Sequence, residues 1–339
     1  MTTVAAPLLE MRDLWVSYRT SRGQIPAVRG VDLIVRAGEC VGVAGESGCG
    51  KSTLASTVLR LQPGNAEVTG SVLVEGQDVL TMRWGALRTL RWAGASMIFQ
   101  GALHSLNPVR RVGVQIAEPI RLHDGVDEQT AHTRVAELLE QVGLPPQRAD
   151  AYPHQLSGGQ KQRVMIAMAL ACRPRLVIAD EPTTALDVMV QAQVLDLLTN
   201  LVRRLDLGLL LISHDLSVLG TTCDRVVVMY AGQVVESGPA KAVFDDPRHP
   251  YSSALASAFP RIGDPAARLA PRGLPGDTPD LAELPSGCVF HPRCPLRADR
   301  CEQEVPVLSA VLPDRPVACV RADEDPDLVP RARAAAVPT

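Results

Sequence analysis

A glycine-rich turn between an apolar run and a helical pattern is the feature that most restricts the fold of this 339-residue chain. The turn, GESGCGKST at residues 45–53, fits the pattern G-x-x-x-x-G-K-[ST]. It follows the apolar run CVGVA and opens a short helical pattern over residues 51–60. Glycines let backbone N–H groups turn inward around phosphates, and a helix N-terminus adds positive dipole. The turn therefore predicts a phosphate-binding loop in an α/β fold.

The side chains of this loop have distinct expected roles. Lys51 is expected to reach the β- and γ-phosphates, and the Ser52 hydroxyl to bind magnesium. The other loop residues are expected to surround the nucleotide: Gly45, Glu46, Ser47, Gly48, Cys49, Gly50 and Thr53. The alternative is a glycine turn with a chance lysine, which the strand before and the helix after disfavour.

A second apolar run, LVIADEP at residues 176–182, ends in two acids. Asp180 is expected to hold magnesium through water at the end of a buried strand. Glu181 follows directly and is placed to polarise an attacking water. Two solvated acids at a strand end are the alternative, which a phosphate loop upstream makes the weaker interpretation.

The segment LSGGQKQR at residues 156–163 predicts a second anion-binding element. Its residues Ser157, Gly158, Gly159 and Gln160 combine a hydroxyl, close backbone N–H groups and a helix N-terminus. One nucleotide does not need two complete elements, so we expect a head-to-tail dimer in which each chain closes on its partner's nucleotide. The alternative is that Ser157 is only a helix N-cap.

Strand and helix patterns alternate along most of the chain, which predicts an α/β core with a parallel sheet. We expect one nucleotide-binding domain over residues 5–258, with a helical subdomain inserted at about 100–172. A Pro- and Gly-rich segment follows, and residues 259–320 are expected to form a small irregular extension. The polar, Ala- and Pro-rich residues 321–339 are expected to be disordered.

Charge and composition restrict the cellular compartments and binding partners that can be expected. The formal net charge of −3 gives no reason to expect a nucleic-acid partner. The N-terminus lacks a secretory pattern, and no run approaches the roughly 18 apolar residues that suggest a membrane span. A cytosolic protein is expected, in which disulfides are rare.

Four cysteines lie close together near the C-terminus: Cys288, Cys294, Cys301 and Cys319. In the cytosol this grouping favours a metal over disulfides. Zinc usually shows C-x2-C or C-x4-C pairs, which are missing here, although His291 could complete half of one. A four-iron, four-sulfur cluster tolerates wider spacing, and Pro295 after Cys294 is typical of some such ligands. We expect a structural 4Fe-4S cluster, with zinc and scattered buried thiols as alternatives.

The ordered set of motifs resembles the ATP-binding subunits of ABC transporters, with an ABC-type P-loop ATPase domain and a mixed core sheet. The resemblance implies that Tyr18 stacks on adenine, that Glu181 and His214 are catalytic, and that Ser157–Gln160 bind the partner's ATP. It also implies that Gln100 joins Ser52 and Asp180 around magnesium and links the nucleotide to a transmembrane partner. Residues 185–187 match the segment that crosses the dimer interface. Gly101 and Ala102 depart from the family's usual acid and proline, which leaves the coupling contacts open.

Three further segments resemble the oligopeptide/dipeptide importer group: HSLNP, DPRHPYS and LPGDTPDLAELPSGCVFHPRCP. This resemblance implies an ATPase that powers peptide import from the cytoplasmic face of the membrane, bound peripherally. Its implied partners are a second ATPase subunit, identical or homologous, two permeases and an extracytoplasmic peptide-binding protein. Dipeptides, longer peptides and nickel complexes remain open as substrates.

Two other functions are weighed against import. A soluble ABC ATPase acting on DNA or ribosomes usually carries two cassettes or a long inserted coiled coil. This chain has one cassette and no heptad run between Gln100 and Ser157. An inactive scaffold would need a replaced catalytic residue, and each expected one is present.

Overall fold

A computed structural model of the chain describes residues 6–101, 105–184, 186–258, 274 and 276–335. Its first unit is an antiparallel sheet of β1 (Leu9–Thr20), β2 (Gly23–Val35), β4 (Ala66–Val74) and β5 (Gln77–Asp78), in the order β2-β1-β4-β5. Alternating residues of β1 are buried, as in a sheet with one face on the core. The register shifts beside Asp13, which has a positive φ of 41°. This bulge keeps Met11 and Leu14 on the same buried face.

The second sheet is the centre of the molecule. It contains β3 (Cys40–Ala44), β6 (Ala95–Ile98), β7 (Leu176–Asp180), β8 (Gly208–Ser213), β9 (Arg225–Tyr230), β10 (Gln233–Pro239), β11 (Ser309–Leu312) and β12 (Arg315–Val317). The strand order across the described residues is β11-β12-β10-β9-β3-β8-β7-β6. The pairs from β9 to β6 are parallel, and those from β9 to β11 are antiparallel. The mixed core sheet predicted from the resemblance is confirmed.

Helices cover the central sheet and form the inserted unit. They are α1 (Lys51–Thr57), α2 (Trp84–Ala93), α3 (Val112–Asp124), α4 (Glu128–Gln141), α5 (Gly158–Ala169), α6 (Val188–Leu205), α7 (Leu216–Thr222), α8 (Ala240–Asp245), α9 (Pro250–Ala258), α10 (Val320–Glu324) and α11 (Leu328–Ala335). Helices α3, α4 and α5 lie inside the span at which the sequence places a helical subdomain. None of the helices in the described ranges is long and apolar enough to cross a bilayer.

The cysteine-containing extension adds its own strands to the central sheet. Val317 of β12 pairs with Glu236 of β10, and β11 pairs with β12. The chain then forms α10 and α11, and Val329 is buried. The expectation of a disordered tail over residues 321–339 differs from the structure, which forms α10 and α11 there with Ala322 and Val329 buried. Residues 336–339 lie outside the described part.

A buried carboxylate joins this extension to helix α9. Glu236 is fully buried and accepts hydrogen bonds from the backbone N–H groups of Arg248 and His249, both at 2.9 Å. The guanidinium of Arg315 completes the site at 2.7 Å. His249 Nδ1 then accepts from the N–H of Tyr251 at 3.0 Å. This network explains why the HPYS segment, for which the sequence offers no mechanism, lies at the start of a helix.

Candidate active site

The phosphate loop connects the buried strand β3 to helix α1, as its sequence predicts. Two of its glycines have no room for a side chain. A Cβ on Gly45, where φ is 152°, would lie 2.4 Å from the carbonyl oxygen of Met229. A Cβ on Gly50, where φ is 104°, would lie 2.1 Å from the carbonyl oxygen of Ala27. The loop thus depends on glycine for both conformation and close packing.

The ammonium group of Lys51 is held inside the loop. Its Nζ donates to the carbonyl oxygens of Gly45 at 2.7 Å and Glu46 at 2.8 Å. The residue is only 5% exposed. Cys49 beside it is also buried, and burial raises the pKa of its thiol. Cys49 therefore fills space as a neutral side chain and adds no negative charge beside Lys51.

Asp180 ends strand β7 next to the loop. Burial raises the pKa of its carboxyl, while a hydrogen bond from Ser52 opposes that shift. Its oxygen Oδ1 is buried and has no hydrogen-bond partner among the described residues. An unpartnered carboxylate oxygen beside a hydroxyl is an unfavourable arrangement unless a cation or water completes it. Asp180 and Ser52 therefore fit a magnesium site.

Residues from three of the predicted motifs, Gln100, Glu181 and His214, meet at the Glu181 carboxylate. Oε2 accepts from Gln100 Nε2 at 3.0 Å and from the Thr184 hydroxyl at 3.1 Å, and Oε1 lies 3.3 Å from His214 Nδ1. Glu181 has a φ of 46°, in the left-handed region that residues other than glycine seldom adopt. Such strain is typical of functional turns. The structure thus brings Gln100, Glu181 and His214 together. Thr184, which no motif in the sequence marks as a site residue, lies in the same EPTT turn.

Tyr18 lies at the edge of the phosphate loop. Its hydroxyl is 3.1 Å from the Thr53 hydroxyl. The ring packs partly on the core of the antiparallel sheet. It is therefore both a partly buried strand aromatic and a neighbour of the expected nucleotide site.

The second anion-binding element forms the start of α5. The Ser157 hydroxyl accepts from the Gln160 N–H at 3.3 Å, and Gln160 Oε1 accepts from the Ser157 N–H at 3.1 Å. This reciprocal pair is a capping box, so Ser157 does cap its helix. A Cβ on Gly159 would lie 2.6 Å from Val190 Cγ1, which makes glycine necessary where α5 meets α6. Ser157 itself is exposed.

The segment predicted to cross a dimer interface is only partly described. Ala185 and Ala102 lie outside the described residues. Asp187 caps α6 by accepting from the Val190 N–H at 3.0 Å. The next two side chains, Val188 and Met189, are 61% and 71% exposed. Exposed apolar side chains at this position are consistent with an interface.

The four clustered cysteines are free thiols that lie close enough to influence one another. Burial raises the pKa of Cys288 to about 11 and of Cys294 to about 12, and Cys301 and Cys319 add to both shifts. Nearby backbone N–H groups, those of Phe290, Leu296 and Ala322, partly oppose the rise in pKa of Cys288, Cys294 and Cys319 respectively. Among the described residues, no group of three or more His, Cys, Asp or Glu is arranged to hold a metal ion.

The phosphate loop is also contacted by two residues that no motif in the sequence marks as part of a site. The Glu46 N–H donates to the Tyr251 hydroxyl at 2.9 Å. Arg293 donates to both carboxylate oxygens of Glu46, at 2.7 and 2.9 Å. Both residues occur in segments that resemble the importer group, but no local pattern in the sequence places either one beside the loop.

A phosphate loop, an acidic strand end and a separate capped anion-binding element define an ABC-type P-loop ATPase. Residues 28–184 match the ABC transporter family, and residues 235–301 match the oligopeptide/dipeptide transporter C-terminal region. A putative peptide import ATP-binding protein of Brucella ovis is 44% identical over 332 residues, covering 94% of this chain and 98% of that protein. One of Brucella abortus is 46% identical over 307 residues, covering 90% and 92%. The chain belongs to the ATP-binding subunits of ABC transporters.

Solved structures of ABC cassettes are similar in fold to this chain. The dimeric bacterial ABC transporter cassette MJ0796 is 26% identical with a TM-score of 0.61, covering 68% of this chain and 98% of that one. CbiO1 of Clostridium perfringens, part of the transporter complex CbiONQ, is 28% identical with a TM-score of 0.62, covering 71% and 92%. Both matches leave part of this chain uncovered.

Proposed function

We propose that this ATPase powers the import of di- or oligopeptides. The observation that carries the proposal is the C-terminal region matched to oligopeptide/dipeptide transporters, which contacts the phosphate loop through Tyr251 and Arg293. The likeness to peptide import proteins along most of the chain supports it. The importer's exact substrate follows from its other subunits, so the proposal extends to the peptide class alone.

Within this function, residues 45–53 bind the phosphates of ATP, and the Tyr18 ring receives the adenine. Lys51 provides the buried positive charge for the β- and γ-phosphates. Magnesium would be held by the Ser52 hydroxyl, by Asp180 through water, and by Gln100. When bound, the ion neutralises charge on the phosphate oxygens. The unpartnered Oδ1 of Asp180 supports this assignment.

Glu181 acts as the base that orients the attacking water, and His214 contacts the γ-phosphate. Their proximity at 3.3 Å supports a shared role. In the described conformation the Glu181 carboxylate is occupied by Gln100 and Thr184 as well. Glu181 must exchange some of these contacts for water before it can take a proton, so Gln100 is suited to report the state of the site.

A second ATPase subunit, identical or homologous, completes each site. Residues 157–160 of one chain close on the ATP of the other, and residues 185–187 cross between them. The exposed Val188 and Met189 support an interface at this place. An ATP-driven dimer also gives a purpose to the second anion-binding element.

Two permease subunits would dock near Gln100, and an extracytoplasmic binding protein would deliver the peptide to them. Exposed apolar side chains support a docking surface there: Phe99 precedes the glutamine, and Val109 and Val114 lie just before and within α3. The chain would then be held peripherally at the cytoplasmic face of the membrane. No nucleic-acid partner is part of the proposal.

We further propose that Cys288, Cys294, Cys301 and Cys319 hold a 4Fe-4S cluster. Four thiols that lie close enough to shift one another's pKa are chemically suited to ligate iron together. A cluster is larger than a single ion, so its ligands need not surround one point. The cysteine spacing C-x5-C-x6-C-x17-C lacks the close pairs typical of zinc sites, so zinc is the weaker alternative. The cluster would cross-link a segment that has little core of its own.

The experiment that tests peptide import is purification of the tagged full-length chain from solubilised membranes. Mass spectrometry of the complex should find two permeases, and ATP hydrolysis in proteoliposomes should rise when peptide and binding protein are added. Recovery of the chain with ribosomes or DNA, and no stimulation by peptide, would favour the soluble ABC ATPase instead.

A further inference from the structure

We propose that Arg293, in the cysteine-containing extension, is a positioning residue for ATP binding because it neutralises and anchors Glu46 of the phosphate loop. The guanidinium and carboxylate form two parallel hydrogen bonds, NH1 to Oε2 at 2.7 Å and NH2 to Oε1 at 2.9 Å. The two residues are 247 positions apart. Their side chains are 7% and 21% exposed, so the pair is largely withdrawn from solvent.

The electrostatic reason is the position of Glu46. It follows the first glycine of the loop, whose task is to bind a polyanion. An unpaired carboxylate there would repel phosphate and offset the charge of Lys51. Arg293 removes that repulsion, and the bidentate geometry holds the carboxylate in a fixed direction. The loop with Arg293 in place therefore presents a net positive charge to the nucleotide.

Geometry gives a second reason. The backbone N–H of Glu46 donates to the Tyr251 hydroxyl at 2.9 Å. The backbone and the side chain of Glu46 are therefore both bound by residues from the C-terminal half of the chain. Lys51 in turn donates to the carbonyl oxygen of Glu46. A change in the position of Glu46 would therefore move the group that carries the ammonium charge.

The segment that contains Arg293 is packed against the ATPase domain through a buried aromatic residue. Phe290 is 2% exposed and packs against Tyr230 and Tyr251, with ring centroids 5.2 and 5.4 Å away. The Arg293 guanidinium lies 5.9 Å from the Tyr230 ring centroid. A small cavity of about 60 Å³ lies between loop residues 46–49 and a wall formed by Thr278, Pro279 and Leu281. The extension thus forms the support behind the phosphate loop.

The test compares ATP binding by the full-length chain with three variants, using displacement of a fluorescent ATP analogue. Arg293→Met leaves Glu46 charged and should raise the Kd for ATP about tenfold, and Arg293→Lys, which keeps the charge but loses the fork, about threefold. Arg293→Met combined with Glu46→Gln should return to within about threefold of the unmodified chain, because the repelling charge is gone. Arg297→Ala, an exposed arginine four residues on, is the matched control and should bind normally.

A second readout separates positioning from simple structural support. At saturating ATP, kcat of Arg293→Met should stay within about twofold while KM rises, since the chemical groups at Glu181 are untouched. Metal content should equal that of the unmodified chain. Unchanged ATP affinity in Arg293→Met would overturn the proposal, as would a double variant no better than the single one. If Arg293→Met does not fold, unchanged affinity in Arg293→Lys overturns it equally.

Discussion

Gln100 donates a hydrogen bond from Nε2 to Oε2 of Glu181 at 3.0 Å, although the two residues are 81 positions apart. The contact joins the end of β6 to the end of β7, two neighbouring parallel strands. His214, after β8, reaches the other oxygen of the same carboxylate. Side chains that follow adjacent parallel strands meet at one sheet edge, which is where α/β folds place their ligands.

Glu181→Gln should nearly abolish hydrolysis without preventing ATP binding. The amide keeps the shape of the side chain but cannot take a proton from water, so turnover should fall by about 10² to 10⁴-fold. Phosphate release by the assembled transporter measures turnover, and analogue displacement measures binding. Size-exclusion chromatography with ATP should show an accumulated dimer. Glu140→Gln, on an exposed face of α4, is the control, and turnover at the control's rate in Glu181→Gln would show that Glu181 is not the base.

Ser157→Arg should block the shared site without disturbing the chain's own phosphate loop. The long cation occupies the exposed N-terminus of α5, where a partner's nucleotide would approach. We expect the isolated subunit to bind ATP normally and turnover in the complex to fall roughly a hundredfold.

The control for Ser157→Arg is Asp127→Arg, which removes a comparable cap, that of α4, by eliminating an acceptor for the Thr130 N–H. Each variant should lose about 1 kcal/mol of stability from its cap. Only Ser157→Arg should lose activity. Equal turnover in the two variants would contradict a site shared between chains.

The local motifs are the part of this protein that the sequence predicts well. The phosphate loop, the acids at 180 and 181 and the cap at Ser157 all depend on neighbours within a few residues, so their spacing reveals them. The bulge at Asp13 and the helices of the tail are less visible, since each depends on packing against distant strands. Glu236 and Arg293 are the extreme cases, because an ordinary acid and an ordinary arginine acquire their roles only from partners far away in the chain.

Buried His249 should make the folded protein sensitive to mild acid. Burial lowers the pKa of its imidazole to about 3, against an ordinary value of about 6.5. Between pH 6.5 and about 3, His249 is therefore protonated in the unfolded chain and neutral in the folded chain. The free energy of unfolding should fall as the pH drops through this window, by about 1.4 kcal/mol between pH 7.5 and 5.5 from this group.

Urea unfolding of the unmodified chain and of His249→Gln at both pH values measures this contribution. The variant should be less stable at pH 7.5, because it loses the packing of the imidazole and its hydrogen bond with the Tyr251 N–H. Between pH 7.5 and 5.5, the free energy of unfolding of the variant should fall by about 1.4 kcal/mol less than that of the unmodified chain, since other titrating groups act equally in both proteins. Parallel pH dependence in the two proteins would mean that His249 is not the group responsible.

Anaerobic purification of the full-length chain should give a brown protein with about four iron and four acid-labile sulfide per chain and little zinc. Cys301→Ala should lose most of the iron, because Cys301 is buried and close enough to influence the other three thiols. Cys172 is distant in sequence from the four cysteines, and its thiol contacts the Pro119 carbonyl oxygen. Cys172→Ala should therefore keep its full iron content. Both variants remove one buried thiol, so the comparison separates ligation from packing. A colourless protein with one zinc and no sulfide would establish the single-ion alternative.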